Sequence, residues 1–186
     1  MVEVEAVKSV EDISAITALL RKHAGDQYAD IWKLGINVAF RISDLLSIQM
    51  DAADLSRREL TIVEGKTNKK RTVRLNKTAC EIILRRKEAN PSDKYLFQSH
   101  SNRGRHLNKP ISRTSVARVF KEIGGIMNIK LGTHSMRKTR GYMLHKSGVS
   151  IEQICRVLNH SSTSITMGYI GLTAESTLNT YDDYEL

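Results

Sequence analysis

The sequence predicts one α+β domain, mostly helical, with a small antiparallel sheet inserted among the helices. Three observations carry that expectation. Apolar residues recur at helical spacing through most of the chain, two β-rich runs flank a glycine-containing turn near residue 65, and only two prolines interrupt 186 residues. With 40% hydrophobic residues, a chain of this length can bury one core.

The elements follow in order. A first helix starts at Ser9, whose side chain can cap the backbone ahead of Asp12, and Ile13, Ile16, Thr17 and Leu20 then share a face. A second, around Tyr28 to Val38, carries Trp32, and a third runs through "SDLLSIQM". In "RELTIVEGKTNKKRTVRL" the runs Leu60–Val63 and Thr72–Leu75 read as strands joined by a turn containing Gly65, Thr67 and Asn68. Helices resume at "KTACEIILRRKEA" and at "SRTSVARVFKEIGG", where Val116, Val119, Phe120 and Ile123 repeat at helical spacing. The basic stretch "HSNRGRHLNKP" between them reads as a loop. "HSMRKTRGYMLHKSG" is a helix stopped at Gly148, and "SIEQICRVL" has Ser150 and Gln153 in capping-box positions with Ile151, Ile154, Cys155 and Leu158 facing inward.

Lys and Arg outnumber Asp and Glu by 29 to 20, a net charge of +9 and a pI near 9.7, which suits a polyanionic partner, nucleic acid first. No run is apolar enough for a signal peptide or a membrane span. Cys80 and Cys155 lie far apart in apolar helical patterns and no Cys/His cluster has zinc-ligand spacing, so a reducing, cytoplasmic setting with two buried thiols is expected.

Taken singly, the polar residues that could carry chemistry have ordinary explanations. His134 and Arg137 are three apart and project from one helix face, which a solvated surface also explains. Arg41 enters a helix from an apolar segment, where burial calls for an anion or a carboxylate, and Asp44 is a candidate ion-pair partner. Lys66 could be a solvated turn lysine, and in "LNHSSTSITMGY" His160 and the serines could simply end one helix and cap the next while Tyr169 packs.

The order Arg41, Lys66, His134, Arg137, His160, Tyr169 resembles the catalytic domain of the tyrosine recombinases, the phage integrase family. "FRISDLLSI" resembles the family's first arginine box, "EGKTNKKRTVRL" its β-hairpin lysine segment, "THSMRKTRGYML" its HxLRH box, and "LNHSSTSITMGYI" its LGH…Y box. The likeness runs from about Ser9 to Leu172.

That resemblance implies a site-specific recombinase that cleaves and rejoins DNA through a 3′-phosphotyrosine, with neither metal nor ATP. Charge grows on a phosphodiester in its transition state, so the work is stabilisation and positioning. Arg41 and Arg137 would each offer a planar fork to the non-bridging oxygens. His134 and His160 would donate further hydrogen bonds, the former also helping to accept the phenolic proton. Tyr169 would be the nucleophile, Lys66 the acid that protonates the leaving 5′ oxygen, and Asp44 a support for Arg41 or its helix. By charge alone Arg103, Arg105, Lys109 and Arg113 are candidate phosphate contacts, a solvated loop being the equal alternative.

The likeness also sets domain expectations: residues 1–174 form the catalytic domain, without the family's usual N-terminal DNA clamp, as in a short recombinase or a fragment of a longer one. The acidic tail 175–186 would dock on a neighbouring subunit or fold back in cis. The partners implied are double-stranded DNA at a specific site and further copies of the chain, as a tetramer on DNA. A type IB topoisomerase, a telomere resolvase, or a regulator of this fold that lacks catalysis are the competing readings. Within the motifs, Asn159 replaces a usual glycine, Met136 a leucine and Lys138 a histidine, while Gly168 stands where a larger residue is common.

Overall fold

The computed structural model describes residues 4–66, 68–101 and 107–172. Among these the elements are α1 (Val10–Ala24), α2 (Asp26–Val38), α3 (Ile42–Leu46), β1 (Ala53–Asp54), β2 (Glu59–Val63), β3 (Lys70–Arg74), α4 (Lys77–Ala89), α5 (Arg113–Met127), α6 (Ser135–Lys146), α7 (Ile151–Leu158) and α8 (Thr163–Ile170). The expected α+β class is therefore the observed one. No helix among the described residues is long and apolar enough to cross a membrane.

Helix starts follow the capping residues. Ser9 Oγ accepts the Asp12 amide at 2.9 Å, Ser150 Oγ that of Gln153 at 3.4 Å, and Ser162 Oγ that of Ile165 at 3.3 Å. The third helix, expected to continue to Met50, stops at Leu46. Beyond it the backbone pairs elsewhere: the Leu96 amide donates to Ile48 O at 2.9 Å and the Met50 amide to Lys94 O at 3.1 Å. Strand β1 went unseen in the sequence because two residues are too few to show alternation.

The sheet has the order β1-β2-β3, all antiparallel, with Leu60 opposite Val73 and Ile62 opposite Arg71. Leu60 and Ile62 point into the core, and the same period carries the next inward position past the strand end to Glu64, which is 1% exposed. A carboxylate is thus drawn inside at the mouth of the hairpin, where cations must meet it.

The main core gathers α1, α2, α4 and α5 around Trp32, whose ring stands edge-on to Phe120 with centroids 5.6 Å apart. A smaller cluster of Ala39, Ile154, Leu158 and Ile170 holds α7 and α8 against α6. Two glycines permit the close approaches. A Cβ on Gly35 would lie 2.2 Å from Met136 Sδ, and one on Gly141 would lie 2.6 Å from Ile170 Cγ2 and 3.1 Å from Leu158 Cδ1. The first seats α6 on α2, and the second draws in the helix that carries Tyr169. Cys80 and Cys155 are free thiols, half-buried rather than the fully buried pair the sequence suggested.

Candidate active site

Five of the six predicted side chains meet at the seam between α6, α8 and the α2–α3 junction. His134 caps α6 and Arg137 lies one turn in, as the three-residue spacing requires. His160 sits in the turn between α7 and α8, Tyr169 near the end of α8, and Arg41 at the start of α3. Among the described residues, the side chain of Lys66 makes no contact with this cluster and stands exposed at the hairpin tip.

Arg137 is the centre, 2% exposed. Its guanidinium donates from Nη1 to Ala39 O and from Nη2 to Leu158 O, bonding the α2–α3 junction to the end of α7. Nη2 also faces His160 Nε2 at 3.3 Å, and the guanidinium charge acts on the Tyr169 phenol, favouring its ionised form. Donors spent on carbonyls leave Arg137 less of its fork for an anion than the sequence reading supposed. Arg41 is more available. Its Nη1 is buried with no hydrogen-bond partner among the described residues, 3.6 Å from Glu64 Oε1. An unsatisfied buried donor costs about 1–3 kcal/mol, so an anionic oxygen arriving there would be bound strongly.

The tyrosine hydroxyl lies 3.1 Å from His134 Nδ1. Its ring is edge-on to the His160 ring, centroids 4.8 Å apart, and the Lys138 ammonium stands 5.5 Å from its centroid. Burial raises the Tyr169 pKa, against the opposing pull of Arg137 and then Arg41. Burial lowers that of His134, helped by the cations Arg137, Arg113, Lys138 and Arg41. Burial, then Arg137 and Arg41, lowers that of His160 to about 4. The resting site therefore holds a neutral phenol and two neutral imidazoles.

The tautomer of His160 follows from its neighbours. Thr166 Oγ1 donates to Ser162 O at 3.2 Å and so accepts from His160 Nδ1 at 3.1 Å. Nε2 then carries the lone pair that accepts from Arg137. The sequence reading had His160 donating to a phosphate; in this arrangement Nε2 has no proton to give.

Asp44 also differs from expectation. Its Oδ1 accepts the Gly65 amide at 3.0 Å, whereas Arg41 takes Glu64 as its ion-pair partner. The helix places Asp44 toward the hairpin, and Glu64 arrives from β2 to fill the position beside Arg41. Glu64 is the residue the sequence reading missed, although it is in phase with Leu60 and Ile62 and that phase is visible in the sequence. Arg71 was missed too; it alternates inward with Val73, donates to Glu64 Oε1 at 3.0 Å and to Val157 O at 2.6 Å.

Of the candidate phosphate contacts, Arg113 is exposed at the start of α5, near enough for its charge to act on His134. Lys109 is exposed and borders a separate surface cleft with Gln27, Tyr28 and His100. Arg103, Arg105 and the tail 175–186 lie outside the described residues. No group of three or more His, Cys, Asp or Glu side chains among the described residues could hold a metal ion.

Known proteins share both the sequence pattern and this fold. A sequence profile of the phage integrase family matches residues 8–176. The chain is 35% identical over 180 residues to the probable integrase/recombinase YoeC of Bacillus subtilis, covering 96% of this chain and 95% of that protein. It is 24% identical over 158 residues to the probable integrase/recombinase of Acholeplasma phage L2, covering 84% of this chain but 53% of that one. The crystal structure of XerA recombinase superposes on 100% of this chain and 66% of its own, with a TM-score of 0.75 at 17% identity. The Tn1549 transposon integrase, in complex with a circular intermediate DNA, superposes on 98% of this chain and 66% of its own, with a TM-score of 0.73 at 14% identity. The chain thus spans most of the first relative and a half to two thirds of the others.

Proposed function

Since the chain belongs to the phage integrase family, the tyrosine recombinases, we propose that it cleaves and rejoins DNA strands at a specific site through a covalent 3′-phosphotyrosine. The observation that carries this reading is the Tyr169 hydroxyl at 3.1 Å from a neutral His134, beside the guanidinium of Arg137.

In this reading the Tyr169 oxygen attacks phosphorus while His134 Nδ1 takes its proton. Arg41, whose Nη1 has no hydrogen-bond partner among the described residues, and Arg137 receive the charge that develops on the non-bridging oxygens. The bond to the 5′ oxygen breaks as Lys66 supplies a proton to it, which requires the exposed hairpin tip to swing onto the DNA. A 5′ hydroxyl from a second strand then attacks the phosphotyrosine, returns a proton to Lys66, and releases Tyr169 to recover its own from His134. The phosphodiester energy stays in the covalent link, so the scheme uses neither nucleotide nor metal. His160 serves by holding Arg137 in place through Nε2.

The solved Tn1549 integrase holds DNA, and a chain of charge +9 suits the same partner. Assembly as a tetramer on a paired site, with the acidic tail docking on a neighbour, completes the reading. The experiment that tests it presents nicked suicide duplexes from the source genome, sequences the DNA captured covalently, and then offers two copies of that site. Exchange of flanking strands is expected. Relaxation or hairpin formation without exchange would assign the chain to the topoisomerase or resolvase activities instead.

A further inference from the structure

The hairpin that carries Lys66 and the turn that carries His160 are joined by a contact for which the family pattern gives no reason. Glu64 Oε2 accepts from Asn159 Nδ2 at 2.7 Å. Asn159 closes α7 in the left-handed region, φ 50° and ψ 52°. Glycine meets that backbone demand at least cost, and asparagine is among the few other residues that tolerate it. What asparagine adds is the side-chain amide, which donates to Glu64.

We propose that Glu64 and Asn159 are a positioning pair that fixes the base of the Lys66 hairpin against the His160 turn. The inference rests on the reading of Lys66 as proton donor given above. Three ties converge on residues 64 and 65. Asn159 holds one carboxylate oxygen of Glu64, Arg71 holds the other while also bonding Val157 O, and Asp44 holds the Gly65 amide. Lys66, the next residue, is exposed. Its flexible stem therefore grows from a fixed root, and the placing of that root decides how far the ammonium must reach. Misplacement by about 1 Å can cost on the order of a hundredfold in rate when a proton must be delivered along one line. The same carboxylate stands 3.6 Å from Arg41 Nη1, so the root is referred to the group that meets the phosphate.

The test compares single-turnover cleavage of two nicked duplexes bearing the captured site, one with the natural oxygen at the scissile 5′ position and one with sulfur there. A thiolate leaves without a proton, its acid form titrating near pH ~8.5, so a fault in proton delivery disappears on the sulfur duplex. Asn159→Gly keeps the turn and removes the hydrogen bond alone. It is expected to slow cleavage of the oxygen duplex about tenfold and to match wild type on the sulfur duplex, as Lys66→Ala does with a larger loss. Equal slowing of Asn159→Gly on both duplexes, or no slowing on either, overturns the positioning role while Lys66 keeps its own. Failure of sulfur to restore Lys66→Ala removes Lys66 from proton delivery, and the pair's role with it. Absence of any adduct with wild type refutes the recombinase reading itself.

Discussion

The Tyr169 hydroxyl and His134 Nδ1 stand 3.1 Å apart, with their pKa values displaced in opposite directions by one shared environment. Burial opposes charge on either, so the phenol keeps its proton and the imidazole stays free to take it. Both groups are therefore neutral at rest.

A pH dependence follows. Protonated His134 cannot accept the phenolic proton, so cleavage falls on the acid side, at a pH below the ordinary histidine value of ~6.5 because the folded value is lowered. Arg113 is one of the cations that lower it, so Arg113→Gln is expected to move that acid limb to higher pH. Lys109→Gln, at a separate surface cleft, is expected to leave it in place. Single-turnover cleavage measured across pH 4–8 reads both shifts.

Stability carries a second pH signature. His160 in the folded chain titrates near 4, against about 6.5 when unfolded. The unfolded chain therefore binds the proton first as pH falls, and the stabilisation present above pH ~6.5 is lost progressively down to about pH 4. His160→Gln, which does not titrate, is expected to flatten that segment of the stability curve in denaturant melts at successive pH values. A variant curve parallel to wild type would place the pKa elsewhere.

Gly141 makes room for the helix that carries Tyr169. The Cβ of Gly141→Ala would sit 2.6 Å from Ile170 Cγ2, one residue past Tyr169. Overpacking of this kind costs about 1–3 kcal/mol, and the displacement acts directly on α8. Thermal melting should drop by several degrees, and cleavage should fall by a larger factor than DNA affinity.

Much of this was legible in the sequence, for physical reasons that differ by element. Ser9, Ser150 and the periodic apolar residues of α1, α5 and α7 act within a few residues of themselves, so local pattern was enough. The end of α3 was not legible, because Ile48 and Met50 pair with residues near 95 and no local signal announces that. Arg41 was recognised by its motif, yet its partner was misjudged. Asp44 was nearer in sequence, but only the pleat of β2 brings Glu64 inward, and reading that phase one residue beyond the strand would have found it. The tautomer of His160 depends on Thr166 and Ser162 across a helix cap, a relation that spacing alone does not determine.

The acidic tail gives a prediction about assembly. Residues 175–186 hold Glu175, Asp182, Asp183 and Glu185 with no Lys or Arg, and Leu178, Tyr181 and Tyr184 could anchor them. Truncation after Leu172 is expected to leave single-site binding intact and to reduce the higher-order complex on paired sites, seen as a lost slow band in a native gel. Undiminished assembly would return the tail to a role in cis or to none.

The most direct measurement is the covalent adduct itself. Wild-type chain on a nicked suicide duplex should yield a protein–DNA species stable to denaturant, with the modified peptide mapping to Tyr169. Tyr169→Phe should yield none while retaining DNA affinity within a few-fold. An adduct at another residue, or one that persists in Tyr169→Phe, would contradict the account.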